Sequence, residues 1–230
     1  MPEHRRPLLV FHGGTFDPVH CGHLAVAEAA RDLLDATVRL LPSADPPHRA
    51  PTSATARQRA DMLALAIEGR RGLRLDTREL DRGVPSRTID TLRAVRATSG
   101  AAVPIAFVLG ADSFLGLPTW KGWPALLDEA HWVVAGRGGH LPDQAGEALM
   151  NAVEDRWTDD AGTLRETRGG RVLRMHQPLH PASASLVRTL VAAGEPAWRN
   201  LVPGDVAAYI DHHRLYMAAG AGSAPFVPPL

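Results

Sequence analysis

The sequence has almost no cysteine and almost no lysine. Cys21 is the only cysteine among 230 residues, so the chain cannot form an internal disulfide and a reducing compartment is the natural setting. We expect the Cys21 thiol to be structural. Lys121 is the only lysine, so arginine carries nearly all of the positive charge. Arginine can bind a phosphate or a carboxylate through two parallel hydrogen bonds, but genome composition would explain the same bias.

Net charge and long apolar runs are also lacking. The formal charge at pH 7 is zero, which argues against a non-specific nucleic-acid binder because such proteins need a basic surface. No apolar stretch is long enough to cross a bilayer, and the short run after the basic N-terminus is followed by glycines rather than a cleavage site. We expect a soluble, cytoplasmic enzyme that binds neither nucleic acid nor membrane. A small anionic ligand is compatible with this composition, and a homo-oligomer is left open.

Short β-type runs alternate with helix-type stretches along most of the chain. This alternation predicts an α/β fold in which a Rossmann-like parallel sheet carries helices on both faces, in a single domain over 1–216. The stretch 155–170 is polar and glycine-rich and predicts a surface excursion, and the proline-containing tail 217–230 predicts disorder. The predicted strands are 8–12, 37–41, 73–77, 103–110, 132–136 and 171–175, and the predicted helices are 22–34, 55–69, 87–98, 122–130, 184–193 and 203–213.

The stretch VFHGGTFDPVHCGHL, residues 10–24, joins the first predicted strand to the first predicted helix. A strand that ends in Gly13 and Gly14 and turns into a helix brings backbone N–H groups to the carboxyl edge of a parallel sheet, where such folds bind anions. Without a Cβ, the glycines would let a phosphate approach the main chain. The stretch lacks the Lys-Ser/Thr ending and the third glycine of the common phosphate loops, so histidines would have to take the place of lysine.

His20 and His23 are the candidates for that role. If the helix has begun by His20, their spacing places both on one face of it, and an imidazole donates a hydrogen bond when neutral and adds charge when protonated. Anion binding is the favoured interpretation. Two alternatives stay open, a metal site and a structural helix cap, although no third metal ligand of the usual type is nearby in the sequence.

The segment GGTFDPVHCGH resembles the T/H-x-G-H signature of the nucleotidyltransferase α/β phosphodiesterase superfamily. In this longer form it is similar to the bacterial nicotinate-mononucleotide adenylyltransferases, and the similarity runs from about residue 8 to 216. The resemblance implies transfer of the adenylyl group of ATP to nicotinate mononucleotide, which gives deamido-NAD and pyrophosphate in NAD biosynthesis. It also implies a magnesium requirement, with Mg²⁺ held mainly by ATP oxygens and water rather than by protein side chains.

Two segments resemble the part of the family that binds the mononucleotide. ADPPHR, residues 44–49, would place His48 and Arg49 at the mononucleotide phosphate, with Arg49 where the family has lysine; a basic surface loop is the alternative. VPSRTIDTL, residues 84–92, opens a helix near Ser86 and Thr88. Either residue could be a simple N-cap, and the resemblance assigns the helix start, with Thr88, to the nicotinate carboxylate.

Two further segments follow predicted strands. In LGADSFLGLPTWKGW, residues 109–123, the resemblance places Gly110 and Asp112 beside a ribose and makes Trp120 a stacking platform for the pyridine ring, with core packing as the alternative for Trp120. VVAGRGG, residues 133–139, has glycine where the family has proline and makes Arg137 a candidate ATP contact. A strand-end arginine is otherwise usually solvated.

The segment ASASLVR, residues 182–188, is similar to the family's Ile-Ser-Ser-Thr-x-Ile-Arg. Ser183 and Ser185 would start a helix that holds the β and γ phosphates, and Arg188 lies one turn further. Ala184 replaces a serine, so one hydroxyl of the family pattern is missing. The segment 201–216 matches the family's closing helix and is expected to be structural, with Val206, Tyr209 and Ile210 toward the core.

The resemblance implies direct in-line attack on ATP with no protein nucleophile. His20, His23 and Arg188 are the predicted catalytic residues. The predicted ATP-binding residues are Gly13, Gly14, Thr15, Phe16, Gly110, Asp112, Arg137, Ser183 and Ser185, and the predicted mononucleotide-binding residues are His48, Arg49, Ser86, Thr88 and Trp120.

Three other functions are kept as alternatives. The first is the same reaction on nicotinamide mononucleotide or phosphopantetheine. The second is a sensor that binds a nucleotide without turnover, which the altered serines of 182–188 would allow. The third is a metal hydrolase built on His20 and His23.

Overall fold

The computed structural model describes residues 6–44, 53–82, 87–136, 146–178 and 180–218. Four predicted site residues, His48, Arg49, Ser86 and Arg137, lie outside the described residues. Most of the tail 217–230 also lies outside them, so its predicted disorder stays a prediction.

The described strands form one seven-stranded sheet in which every pairing is parallel. Its order is β3-β2-β1-β4-β5-β7-β6. The predicted parallel α/β sheet is confirmed. The strands are β1 (Leu9–Gly14), β2 (Val38–Pro42), β3 (Leu73–Leu75), β4 (Ile105–Gly110), β5 (His131–Gly136), β6 (Trp157–Thr158) and β7 (Val172–His176).

Helices connect the strands and cover both faces of the sheet. All six predicted helices are present, with ends that differ by at most two residues, and three short helices, α3, α5 and α7, were not predicted. Thr55 caps α2 by accepting a hydrogen bond from the Gln58 N–H, as its position before an apolar face requires. The helices are α1 (Cys21–Leu34), α2 (Ala56–Ile67), α3 (Arg78–Asp81), α4 (Thr88–Ser99), α5 (Ala111–Leu115), α6 (Trp123–Glu129), α7 (Glu147–Val153), α8 (Ala184–Ala192) and α9 (Gly204–His212).

The core consists of two apolar clusters, one on each face of the sheet. Along β4, Ala106 and Val108 belong to the cluster beneath α1, α2, α8 and α9. Ile105, Phe107 and Leu109 belong to the cluster beneath α4, α6 and α7. A strand that alternates between two buried faces reads as a continuous apolar run, which explains why the sequence signal for β4 is strong.

The stretch 155–170 does not form the surface excursion that its composition predicts. It contains β6, which extends the sheet beside β7, and Leu164, which is fully buried in the core. Arg165 donates hydrogen bonds to the carbonyl oxygens of Arg6 at 2.8 Å and Leu34 at 2.7 Å. The prediction was wrong because a two-residue strand and one buried leucine leave no periodic pattern, while the polar residues bond to neighbouring segments.

The sheet order reverses direction between β1 and β4, where the chain leaves one half of the sheet and enters the other. In open α/β sheets, ligands bind at the carboxyl ends of the strands beside such a reversal. Within the described residues, no helix combines the length and apolar character needed to cross a membrane.

Candidate active site

The candidate site lies at the carboxyl ends of β1 and β4, which finish at Gly14 and Gly110. β1 continues into a loop, residues 15–20, that leads to α1, and β4 continues directly into α5. Both glycines therefore stand at the sheet reversal, whereas the sequence predicts only that each ends a strand.

Arg59, on α2, anchors the loop between β1 and α1 through hydrogen bonds to backbone carbonyls. Its side chain is completely buried, and its Nη1 donates to the carbonyl oxygens of Thr15 at 2.6 Å and Ser43 at 2.8 Å. The Ser43 N–H in turn donates to the Gly14 carbonyl at 2.9 Å. Arg59 was not among the predicted site residues. It lies three positions before Met62, on the apolar face of α2, and an arginine on such a face indicates a buried guanidinium with hydrogen-bond partners.

Asp17 connects the same loop to distant parts of the chain. Its side chain is buried, with 6% of the residue exposed. The carboxylate accepts hydrogen bonds from the N–H groups of Ser53 at 3.0 Å and Ala54 at 3.3 Å, and from the Tyr216 hydroxyl at 2.8 Å. The buried hydroxyl beside this carboxylate has its pKa raised above the usual value for tyrosine, first by burial and then by the Asp17 charge. Neither Asp17 nor Tyr216 is among the predicted site residues.

His20 and His23 form a stacked pair at the start of α1. His20 is the N-cap residue, and the two ring centroids lie 3.7 Å apart. The His20 N–H donates to Nδ1 of His23 at 3.3 Å. An imidazole whose Nδ1 accepts a hydrogen bond carries its proton on Nε2, so His23 in its neutral form has an N–H donor at the far side of the ring.

Burial keeps these rings uncharged in the free protein. It lowers the pKa of His20 to about 4, with smaller contributions from the charges of His180 and His12. Burial also lowers the pKa of His23 well below its usual value, and the proximity of His20 and His12 lowers it further. At neutral pH both rings are therefore hydrogen-bond donors rather than cations, and a bound polyanion would shift them toward protonation.

His12 adds a third ring that the sequence analysis did not select. Its Nδ1 lies 3.1 Å from the Val108 carbonyl oxygen, and its centroid is 6.2 Å from that of His23. Over the described ranges, no group of three or more His, Cys, Asp or Glu side chains is arranged to hold a metal ion. Among the described residues there is thus no ligand set that would support the metal-hydrolase alternative.

Close packing against aromatic rings explains why positions 13 and 14 are glycine. A Cβ on Gly13 would lie 2.5 Å from Cζ of Phe107, and one on Gly14 would lie 3.0 Å from Cζ of Phe16. Phe16 is buried and has a φ of 53° in the left-handed region, so it folds back over the strand end. Close approach of a phosphate to these glycines stays a prediction, as do the predicted nucleotide contacts of Thr15 and Phe16.

The start of α8 lies against the start of α1. A Cβ on Gly22 would come within 3.2 Å of the Ala182 carbonyl oxygen, just before the α8 N-cap Ser183. Ser183 Oγ accepts a hydrogen bond from the Leu186 N–H at 3.2 Å. Two helix N-termini, each a centre of positive potential, therefore share one edge of the site.

Arg188 joins these two helix starts. Its Nη1 donates to the Asp17 carbonyl oxygen at 2.7 Å, and its Nη2 donates to Ser185 Oγ at 3.4 Å. The structure thus brings together four of the predicted site residues, which are His20, His23, Ser185 and Arg188. Ser183 and Ser185 are exposed, and Arg188 is half-buried.

The other half of the predicted site is less enclosed. Gly110 is the N-cap residue of α5 and Asp112 is exposed. Trp120 is half-buried, and its ring makes an edge contact with Trp132 at a centroid distance of 6.2 Å, so packing accounts for part of its surface. Thr88 is the first residue of α4, and the N-cap is Arg87, so the simple N-cap alternative for Thr88 is wrong.

Comparison with known proteins identifies the family. Residues 11–190 match the model of the family described as cytidylyltransferase-like. A probable nicotinate-nucleotide adenylyltransferase of Stenotrophomonas maltophilia (strain K279a) is 52% identical over 215 residues, which cover 91% of this chain and 96% of the relative. A protein of the same name from Xylella fastidiosa (strain 9a5c) is 44% identical over 214 residues, again 91% of this chain and 96% of the relative.

Solved structures share the fold. The nicotinic acid mononucleotide adenylyltransferase of Plasmodium falciparum, complexed with NaAD, matches with a TM-score of 0.69 at 14% identity, covering 92% of this chain and 98% of the other. At that identity the likeness concerns the fold alone. The chain belongs to the cytidylyltransferase-like family and is a nucleotidyltransferase. The resemblance inferred from residues 10–24 is confirmed.

Proposed function

We propose that this protein is a nicotinate-nucleotide adenylyltransferase, which transfers the adenylyl group of ATP to nicotinate mononucleotide and releases pyrophosphate. The observation that carries the proposal is the 2.7 Å hydrogen bond from Arg188 to the loop that bears His20. It joins a guanidinium, two helix N-termini and a pair of imidazole donors at one point beside the sheet reversal. The name of the 52%-identical relative supports the choice of substrates.

The reaction needs no protein nucleophile. The phosphate of the mononucleotide attacks the α-phosphorus of ATP, the bond from that phosphorus to the bridging oxygen breaks, and pyrophosphate leaves with the electron pair. The enzyme has to align two anions and stabilise the charge that develops on the leaving group. Burial raises the pKa of the Cys21 thiol, which leaves it protonated and unsuited to covalent catalysis.

His20 and His23 are suited to the charge that develops between the α and β phosphates. Their neutral rings offer N–H donors without repelling Arg188, and their low pKa values rise when a polyanion replaces water beside them. Because the centroids are only 3.7 Å apart, a proton on one ring opposes a proton on the other. We infer that the stack takes up one proton, at most, as the pyrophosphate charge grows.

The remaining predicted residues divide between the two substrates. Arg188, Ser183 and Ser185 would bind the β and γ phosphates, with Gly110 and Asp112 near a ribose. Thr88 and Trp120 would bind the nicotinate ring, its carboxylate at the start of α4 and its face against the indole. His48, Arg49, Ser86 and Arg137 keep their predicted roles as proposals.

Adenylyltransferases of this family generally use a divalent metal. We propose Mg²⁺, which prefers oxygen ligands and retains several waters. Phosphate oxygens of ATP and water can therefore supply most of its ligands. The described residues fit this arrangement, since the donors around His20 are ring nitrogens, backbone amides and a guanidinium, all of which suit phosphate oxygens. Bound there, the ion would neutralise part of the triphosphate charge.

An assay that compares three acceptor substrates tests the proposal. Purified protein is incubated with ATP, Mg²⁺ and either nicotinate mononucleotide, nicotinamide mononucleotide or phosphopantetheine, and both pyrophosphate and the adenylylated product are measured. We expect the highest kcat/KM with nicotinate mononucleotide. A higher kcat/KM with either of the other acceptors would identify that acceptor as the substrate instead. ATP binding without pyrophosphate release would favour a sensor that binds a nucleotide without turnover.

A further inference from the structure

The segment after α9 turns back toward the loop between β1 and α1. Arg214 has a φ of 51° and Tyr216 a φ of 65°, and both lie in the left-handed region that non-glycine residues rarely adopt. Between them, Leu215 is buried in the core, and its N–H donates to the Ile210 carbonyl at 3.0 Å. Contacts must hold a backbone in this conformation, and those of Leu215 and Tyr216 do so.

The principal polar contact of Tyr216 is the buried carboxylate of Asp17. The hydroxyl donates to Oδ1 of Asp17 at 2.8 Å, which is the shortest of the three hydrogen bonds that the described residues make to that carboxylate. The other two donors are the N–H groups of Ser53 and Ala54, at the segment that leads into α2. Because only 6% of Asp17 is exposed, hydrogen bonds from the protein are the main restraint on its carboxylate.

Asp17 passes this restraint to the nucleotide site through its backbone. Its carbonyl oxygen accepts from Nη1 of Arg188 at 2.7 Å, and Nη2 of Arg188 reaches Ser185 Oγ at 3.4 Å. The carboxylate and the carbonyl are attached to the same Cα, so a backbone rotation that moved the carbonyl would strain the hydrogen bonds that hold the carboxylate. The direction of the Arg188 guanidinium therefore depends on the donors to Asp17.

We propose that Tyr216 is a positioning residue of the nucleotide site: by fixing the Asp17 carboxylate, its hydroxyl keeps the Asp17 carbonyl where it orients Arg188 toward the triphosphate. This inference rests on the proposed function for the role of Arg188. It makes the chain segment beyond α9 part of the active-site machinery, whereas the sequence analysis treats 201–216 as structural.

Tyr216→Phe removes the hydroxyl and keeps the ring, and Tyr209→Phe is the matched control. Tyr209 lies on α9, is half-buried, and donates to Oδ2 of Asp61 at 3.3 Å, away from Asp17. We expect Tyr216→Phe to raise the KM for ATP about five- to tenfold and leave the KM for nicotinate mononucleotide within about twofold, as loss of one hydrogen bond of ordinary net strength implies. A merely structural role would lower the active fraction, and so kcat, without this selective change in KM.

A double-mutant cycle separates action through Arg188 from a general loss of order. In an Arg188→Ala background, Tyr216→Phe should cause almost no further loss of kcat/KM for ATP, because the group that it orients is absent. Losses that multiply, or a KM for ATP in Tyr216→Phe that equals that of Tyr209→Phe, would overturn the proposal. If Tyr216→Phe does not fold, Asp17→Asn serves as the second variant with the same expected change in KM.

Binding of a non-hydrolysable ATP analogue, measured by calorimetry, keeps the two proposals apart. If the unchanged protein releases no pyrophosphate with any acceptor but binds the analogue, and Tyr216→Phe weakens that binding about fivefold relative to Tyr209→Phe, the proposed function fails and the positioning role stands. Equal binding by the two variants overturns the positioning role. If the unchanged protein does not bind the analogue, both proposals fail.

Discussion

The buried histidine pair should make the stability of the free protein depend on pH, and His20 allows the size of the effect to be calculated. Its pKa is about 4 in the folded protein against the usual 6.5, mainly because of burial. Below pH 6.5 the unfolded chain takes up a proton on this ring that the folded protein refuses until about pH 4. Its effect on stability is therefore absent above pH 6.5 and becomes increasingly unfavourable as the pH falls toward 4.

At about pH 5 the calculated penalty is substantial. With the two pKa values above, protonation of this ring at about pH 5 raises the unfolding equilibrium constant by a factor of about 30, which corresponds to about 2 kcal/mol. His20→Asn removes the titrating group and keeps a side chain of similar polarity. Between about pH 7.5 and pH 5, the variant should lose about 2 kcal/mol less free energy of unfolding than the unchanged protein does.

Urea unfolding at several pH values measures this difference directly. His212→Asn, at an exposed ring on α9, is the matched control and should leave the pH dependence of the unchanged protein in place. Proton NMR of the ring in the free protein provides a second measurement of the His20 pKa. If His20→Asn and the unchanged protein lose equal stability on acidification, the ring is not held neutral by burial, and the account of the site as a set of neutral donors is wrong.

Three further predictions concern catalysis, packing and substrate binding. His20→Ala and His23→Ala should each lower turnover in the pyrophosphate-release assay at least about a hundredfold with an unchanged circular dichroism spectrum, and near-normal turnover in both would refute their assignment. Gly13→Ala should destabilise the protein by about 1–3 kcal/mol in urea unfolding, because the new Cβ meets the Phe107 ring; Phe107→Leu in the same chain should restore part of the loss, and an unchanged stability would contradict the packing argument. Trp120→Ala should raise the KM for nicotinate mononucleotide about tenfold without changing the KM for ATP, and equal changes in both would indicate a packing role only.

The sequence predicted the fold well because its signals are local. Each long parallel strand is an apolar run that packs on both faces, and each long helix has a periodic apolar face, so six strands and six helices could be recognised. β6 has only two residues, Trp157 and Thr158, and no run of that length has a period. The helices α3 and α5, of four and five residues, were missed for the same reason.

The candidate site was predictable only where one motif carried it. His20 and His23 belong to one contiguous segment, so the sequence alone brings the two rings close together. The contacts that hold that segment are distant in sequence: Arg188 to Asp17 spans 171 residues and Tyr216 to Asp17 spans 199. A single long-range hydrogen bond leaves no periodic trace, so nothing marked Asp17 within its motif, and Tyr216 was assigned to a structural helix.

The charged and titratable groups of the free site share one property, which is that each is restrained or uncharged before any ligand arrives. Burial keeps the His20 and His23 rings neutral, Arg188 is bound to a backbone carbonyl, and the buried Asp17 carboxylate has three donors. Donors that are already oriented need little reorganisation when charge develops on a leaving group. Under the proposed function, an arginine-rich chain with zero net charge binds a triphosphate at one point without a basic surface, because the positive potential that the described residues supply comes from helix ends, the Arg188 guanidinium and rings that become charged only when the anion is present.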